Sequence, residues 1–364
     1  MTMQKEKLDE NPQNRNMLKI ALIIALIVIV AILVVYEINI DTFSGFVIKV
    51  SKSVVNGLAL SMLLFLMVSG FFLIFGLCDV INFAHGAFFM LGGFMGYLLY
   101  LQTEAVLLDP TLPFYLLFGG NYFAVSITAF IASAVGSTAI LALLGGGIEF
   151  FTIRRLYGNP IAQILLTVGF MFIISQLAEI IWGPPQFTLF IIPDSQINYF
   201  FISGTIDLGG GVIFQTYRIF LIILGFAVAG LMFLGFRRTR IGLQIQAGIE
   251  DKEMVEALGT NIRRLFTIVF MLGAGLAGLS GAVLVPWIGA NTGHGLTYLI
   301  YAFVIVVIGG AHYGRFEGTF FGALIVGLSI QFTSYFVPLL ESTIVFIIMA
   351  IVLIIKPGGL TGRA

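Results

Sequence analysis

The stretch Val80-Ile-Asn-Phe-Ala-His-Gly86 sits where one apolar run, Val54–Leu77, ends and another, Phe83–Leu101, begins. A plain membrane anchor would continue with Leu or Val, yet Asn82, His85 and Gly86 place polar and flexible residues between the two hydrophobic segments. Polar groups at the edge of a bilayer span are costly unless they are buried in protein or line a wet path. The pattern predicts two membrane helices joined by a functional break, with Asn82, His85 and Gly86 as candidates for a substrate path or hinge.

The surrounding composition fits that reading. Of 364 residues, 59% are hydrophobic and 10% charged, with a mean hydropathy of +1.07. Soluble domains carry about 25% charged residues, and a water-soluble globule could not hide this much apolar side chain. The expected fold is all-α, a polytopic transmembrane helix bundle.

A helix needs about 20 apolar residues to cross the hydrocarbon layer. About ten spans meet or approach that length: Leu18–Tyr36, Val54–Leu77, Phe83–Leu101, Phe123–Leu144, Ile161–Trp182, Ile219–Phe236, Leu265–Pro286, Leu296–Gly309, Thr319–Val337 and Thr343–Ile355. The eighth and tenth are short, consistent with tilted or re-entrant segments. No small-x-small cleavage site follows Leu18–Tyr36, which reads as a retained anchor rather than a signal peptide. The organisation expected is a cytoplasmic tail over 1–17, an anchor over 18–36, a single membrane domain over 54–355 containing a cytoplasmic loop over 237–264, and a cytoplasmic tail over 356–364. The external segments Gln102–Tyr122 and Gly183–Tyr217 are long enough for a small interfacial helix or hairpin, but not for a soluble domain.

Charge orients the bundle. With ten spans, fifteen of the eighteen Lys and Arg residues fall on the side holding both termini, against Lys49, Lys52 and Arg218 on the other. The positive-inside rule therefore predicts cytoplasmic termini. The net charge of zero gives no argument for nucleic acid as a partner.

Small residues recur at helical spacing in Gly92-x-x-x-Gly96, Gly273-x-x-x-Ala277-x-x-x-Gly281 and Gly318-x-x-x-Gly322. Such stripes let helices approach closely in lipid, where packing drives association. The stretch Val80–Phe88 echoes Val307–Phe316, either as a parallel internal repeat or as coincidence in apolar sequence.

In the loop, Asp251–Gly259 reads as a short amphipathic helix. Asp251 is placed to cap its start, Gly259 suits a left-handed end, and Met254, Val255 and Leu258 form an apolar face. So short a helix is marginal alone, so that face is expected to dock, either on the protein's own helix ends or in a partner's groove.

Several chemistries are disfavoured. Cys78 is the single cysteine, so there is no intrachain disulfide or multi-thiolate metal site, and no His-Glu-x-x-His pattern exists. The span acids Glu149 and Glu179 lie near span ends rather than mid-bilayer, against an ion-coupled carrier. No lysine follows a glycine, so a phosphate-binding Walker motif is absent. No cofactor, metal or catalytic residue is expected.

With those residues in view, Gly76-x-x-x-Val80-Ile-Asn-Phe-Ala-His-Gly86 followed by Met90-Leu-Gly-Gly93 resembles the permease subunits of branched-chain amino acid ABC importers. The likeness continues through Gly242-x(4)-Ala247-x(3)-Asp251-x(5)-Ala257-Leu-Gly-x-Asn261, Gly275–Val283 and Val307-Ile-Gly-Gly310 to Lys356-Pro-Gly-Gly-Leu-x-Gly362. Ala87 stands where the family commonly has an acid, and Gly309–Gly318 departs from its usual glycine run. The resemblance implies an ATP-driven importer of branched-chain or related amino acids in the cell membrane, with urea or short amides as the alternative cargo of close relatives. A self-sufficient secondary transporter is a more distant alternative. Implied partners are a second related permease, two cytoplasmic ATPase subunits, an extracytoplasmic substrate-binding protein and membrane lipid. ATP hydrolysis would reside in the ATPases. The helix carrying Asp251, Met254, Val255, Ala257, Leu258 and Gly259 would be the contact through which they act.

Overall fold

The computed structural model describes residues 43–118, 121–184, 204–207, 213–310, 316–356 and 358–360. Within them the chain is a helical membrane bundle. Its helices are α1 (Phe43–Cys78), α2 (Ala84–Leu108), α3 (Pro113–Phe118), α4 (Tyr122–Phe151), α5 (Pro160–Trp182), α6 (Thr216–Arg238), α7 (Arg240–Glu250), α8 (Lys252–Ala257), α9 (Ile262–Ile288), α10 (His294–Gly309), α11 (Phe316–Phe336) and α12 (Glu341–Ile355). Eight helices among the described residues are long and apolar enough to cross a membrane, α12 reaching that length with the 3-10 turn Pro338–Leu340 before it. The ninth, α10, has 16 residues, about 24 Å of helix. Each expected span from Val54 onward corresponds to one of these nine. The expected anchor Leu18–Tyr36 lies outside the described residues, as does part of the second copy of the internal echo.

The segment after α2, expected to be external, contains the short helix α3. The segment before α6 contains the antiparallel strands β1 (Thr205–Asp207) and β2 (Ile213–Gln215), Thr205 opposite Gln215. Arg218, expected outside the bundle, lies in the first turn of α6.

The bundle is built around α1 and α9. The apolar stretches of both are mostly buried by other helices, and α9 packs against α1, α2 and α4 while α11 packs along α1. Small residues make this possible. Gly92 on α2 lies over Gly278, and a Cβ there would come within 2.5 Å of the Gly278 carbonyl oxygen; one on Gly96 would stand 2.7 Å from the Ala282 Cβ. Gly281 is pressed against the Phe89 carbonyl, Gly273 against Gly70 of α1, and Ala277 is fully buried. Gly318 and Gly322 seat α11 on α10, against Gly309 and the Ile305 carbonyl.

Several polar side chains within the spans tie one helix to another. Ser137 Oγ on α4 is 2.9 Å from the Gly92 carbonyl oxygen and 3.3 Å from that of Gly278, so it bridges three helices. Ser280 Oγ donates to Leu63 O at 2.9 Å, and Tyr217 Oη to Val283 O at 2.6 Å. At the start of α6, Arg218 donates to Asn56 Oδ1, and Asn56 Nδ2 donates to Tyr335 Oη at 2.7 Å. After α12, Gly359 turns with φ 74° and the Leu360 amide donates to Ile308 O at 2.8 Å, fastening this segment to the end of α10.

Candidate functional site

The break after α1 is a return path within the bundle. Asp79 closes the helix with φ 57°, a left-handed conformation that Asp tolerates better than most residues, and its amide still reaches Phe75 O at 3.1 Å. The chain then leaves helical form until α2 begins at Ala84. His85 Nε2 lies 3.0 Å from the Met67 carbonyl oxygen, and Met67 is about three turns before the end of α1. Residues Asp79–Phe83 therefore climb back alongside the last turns of α1. Non-helical backbone at such depth is tolerated where protein buries it or a cavity adjoins it. Both conditions are met here: Val80 and Asn82 are fully buried, and Thr167 of α5 approaches the Ile81 carbonyl oxygen at 3.4 Å.

The three residues singled out from the sequence occupy different roles in space. Because a carbonyl only accepts, His85 Nε2 carries the proton, leaving Nδ1 as the second ring nitrogen. His85 is fully buried with its ring edge-on to Phe71 at 5.5 Å, and its Nδ1 has no partner among the described residues. Gly86 is pressed onto the Gly295 carbonyl, and a Cβ there would stand 2.8 Å from that of Leu299. This is a close crossing of α2 and α10, a geometry that glycine permits through its lack of a side chain. Asn82 has neither its amide nitrogen nor its amide oxygen bonded to any described residue.

Asn82 borders a cavity of about 240 Å³. Ile81 and Phe83 stand beside it, Leu299 and Phe303 come from α10, and Phe346 and Met349 from α12. Its other lining residues are apolar, and the Asn82 amide atoms themselves expose no surface to it.

On the loop, Thr239 caps α7 by accepting from the Gly242 amide at 3.0 Å. This helix was not evident from the sequence. Its small and apolar positions face inward: Gly242 lies against Gly235 and Phe236, Gly248 against Leu77, and Ile245 is buried. Helix α8 follows, with Asp251 Oδ1 accepting from the Met254 amide at 2.9 Å and Gly259 ending it at φ 88°. The structure divides the apolar face expected here. Val255 is 5% exposed and packs into the core, whereas Met254 is 63% and Leu258 79% exposed, with Ala257 exposed beside them. A one-and-a-half-turn helix resting on its own protein turns only one of its large apolar residues inward. The other two are left as an uncovered patch flanked by Glu253 and Glu256.

A further cluster had no clear sequence signal. Glu149, fully buried near the end of α4, is 3.4 Å from Arg154 Nε and accepts from Tyr157 Oη at 3.0 Å and Thr267 Oγ1 at 2.6 Å. Arg154 also donates to Arg263 O at 3.0 Å and lies over the Phe150 ring. The cluster pins the α4 end to the first turns of α9. Its members meet across a 3-10 turn, Ile153–Leu156, and across more than a hundred residues of chain, so no local spacing reveals it.

Comparison with known proteins agrees with this architecture. The family described as "Branched-chain amino acid transport system / permease component" matches residues 53–355. The high-affinity branched-chain amino acid transport system permease protein BraD of Pseudomonas aeruginosa is 26% identical over 316 residues, covering 86% of this chain and 95% of the relative. The corresponding permease protein LivH of Escherichia coli K12 is 24% identical over 311 residues, covering 85% and 94%. A probable LivH permease of Methanocaldococcus jannaschii is 24% identical over 234 residues, covering 61% and 72%. No solved structure matches the chain.

Proposed function

The chain belongs to the branched-chain amino acid transport permease family, and on that premise we propose that it is the membrane-spanning permease subunit of an ATP-driven importer for branched-chain amino acids. The observation that carries this reading is the family match itself, one unbroken block from within α1 to the last residue of α12. Both termini are assigned to the cytoplasm on the charge asymmetry of the sequence.

The chain lacks a phosphate-binding lysine motif, so the driving energy comes from elsewhere. It would be supplied by two cytoplasmic ATPase subunits, with a second related permease completing the path and an extracytoplasmic binding protein delivering substrate. Helix α8 suits the contact with an ATPase. Asp251 and Gly259 fix its two ends, Val255 anchors it to the bundle, and Met254, Ala257 and Leu258 remain free to fill a groove. A helix so anchored transmits displacement because it cannot slide on its own protein. Transport then needs only states of the bundle that differ in affinity for substrate, with no reacting residue.

Replacing Met254 and Leu258 together by Asp tests the coupling role. The variant is expected to insert and fold normally while the ATPase subunits no longer co-purify. Undiminished co-purification overturns the assignment. For the transport reading as a whole, the complete importer should accumulate leucine in vesicles only when supplied with ATP. Accumulation by the purified chain alone would overturn it.

A further inference from the structure

Independently of the cargo carried, we infer that the first half of α7 lies in the surface of the bilayer as an interfacial helix. There Ile241 and Leu243 contact acyl chains, and Arg238 and Arg240 hold the phosphates of anionic phospholipids.

The two ends of α7 are fixed at the level where membrane spans stop. Gly242 is seated against the Gly235 carbonyl and Phe236 of α6, a span that ends at Arg238. Toward the other end, Gly248 lies against Leu77 and Ile249 approaches Gly76, both in the last turn of α1. The 11 residues between Arg240 and Glu250 cover about 16 Å. A helix held at both ends to the closing turns of two spans runs across the end of the bundle instead of projecting from it. That is the plane in which an amphipathic helix rests on a membrane.

Ile241 and Leu243 flank Gly242 in sequence and are both exposed, as are Leu231 and Leu234 in the turns of α6 just before the joint. The hydrocarbon that surrounds a span at this depth covers such side chains without a dedicated protein surface. Charge divides the loop in the same sense. Arg237, Arg238 and Arg240 gather at the joint of α6 and α7, where Arg237 lies over the Phe233 ring and 3.8 Å from Glu317. Arg238 and Arg240 are exposed and make no ion pair among the described residues. The loop's carboxylates, Glu250, Asp251, Glu253 and Glu256, all come from the last residue of α7 onward. Arginines beside a membrane span attract anionic headgroups, and the N-terminus of α7 adds partial positive charge at the same place. A soluble surface complementary to the acidic tip at α8 is cationic, so the arginine joint repels it. A layer of anionic headgroups complements the joint instead.

The test places a single label on Leu243→Cys in a Cys78→Ala background. The full chain, with every subunit that co-purifies retained, is reconstituted in phosphatidylcholine with or without phosphatidylglycerol. A nitroxide at position 243 is expected to be relaxed more by oxygen, which concentrates in lipid, than by a water-soluble nickel chelate. A bimane there should be quenched by brominated phosphatidylglycerol at about one-tenth of the mole fraction needed with brominated phosphatidylcholine. Arg238→Gln/Arg240→Gln should bring the two lipids level while position 243 stays accessible to oxygen. Preference for the nickel chelate overturns the inference. Shielding from both relaxers does so as well, and assigns the face to a protein partner. Equal quenching by the two lipids with both arginines in place also overturns it. If Leu243→Cys fails to insert, Ile241→Cys carries the same labels. Uptake enters none of these readings, so a failure of the transport reading leaves the outcome unaffected.

Discussion

Gly92 of α2 and Gly278 of α9 meet backbone to backbone, leaving no room for a methyl group between them. Ser137 of α4 caps the contact by reaching both carbonyl oxygens. Three helices thus converge on one point at which the side chains are a hydroxyl and two hydrogens. In lipid, where neighbouring chains are as apolar as the helices themselves, such closeness replaces the hydrophobic effect as the source of cohesion.

Gly92→Ala should therefore destabilise the bundle by about 1–3 kcal/mol, the usual range for overpacking. Gly147→Ala, on a helix position with nothing within 4 Å of the added atom, should be neutral or stabilising by up to about 1 kcal/mol. Thermal unfolding of the two variants in detergent gives the comparison, and equal behaviour would remove the packing argument.

Ser137 separates hydrogen bonding from space at the same junction. Ser137→Ala should cost only about 0.6 kcal/mol, the average for interhelical hydrogen bonds in a membrane. Ser137→Leu, at a fully buried position, should cost about 1–3 kcal/mol through overpacking. The same unfolding measurement reads both.

The divided face of α8 predicts two phenotypes within one turn. Val255→Asp buries a carboxylate at a 5% exposed position and should detach the helix at a cost of about 2–3 kcal/mol, seen as faster proteolytic cleavage of the loop. Met254→Asp and Leu258→Asp should leave proteolysis unchanged and affect only association with the ATPase.

The Glu149 cluster predicts an asymmetry between its charges. Arg154 is 24% exposed and can turn toward water, whereas Glu149 has no exposed surface. Arg154→Leu, which strands the buried carboxylate, should cost about 3 kcal/mol, and Glu149→Gln less. The double variant Glu149→Leu/Arg154→Leu should cost less than the sum of the separate losses, because the pair is coupled. A double-mutant cycle by unfolding in detergent measures that coupling.

The course of the chain was largely legible before any coordinates. Apolar length marked each described span, and the cap residues Asp251 and Gly259 stood out because capping is a local rule. The small-residue stripes announced close contacts but not their partners: nothing in Gly92-x-x-x-Gly96 says that Gly278 and Ala282 lie opposite. The break at Asn82 was visible as polarity, yet its return alongside α1 depends on His85 meeting Met67, a distant pairing. Helix α7 went unread because Gly242 and Gly248 weaken its helical signal, and both glycines serve tight contacts with Phe236 and Leu77. The hydrophobic period of Met254, Val255 and Leu258 was real, but six helical residues cannot turn all three toward one surface.

The bond from the Leu360 amide to Ile308 O makes the segment after α12 a lever on α10, the helix that supplies Leu299 and Phe303 to the cavity. A fluorophore or spin label attached near Leu360 would sit at the far end of that lever, beyond the last residue of α12. It would report movement of α10 during the transport cycle without a probe inside the bundle. A bulky fusion partner at the same place would load the lever, so purification tags belong at the opposite terminus.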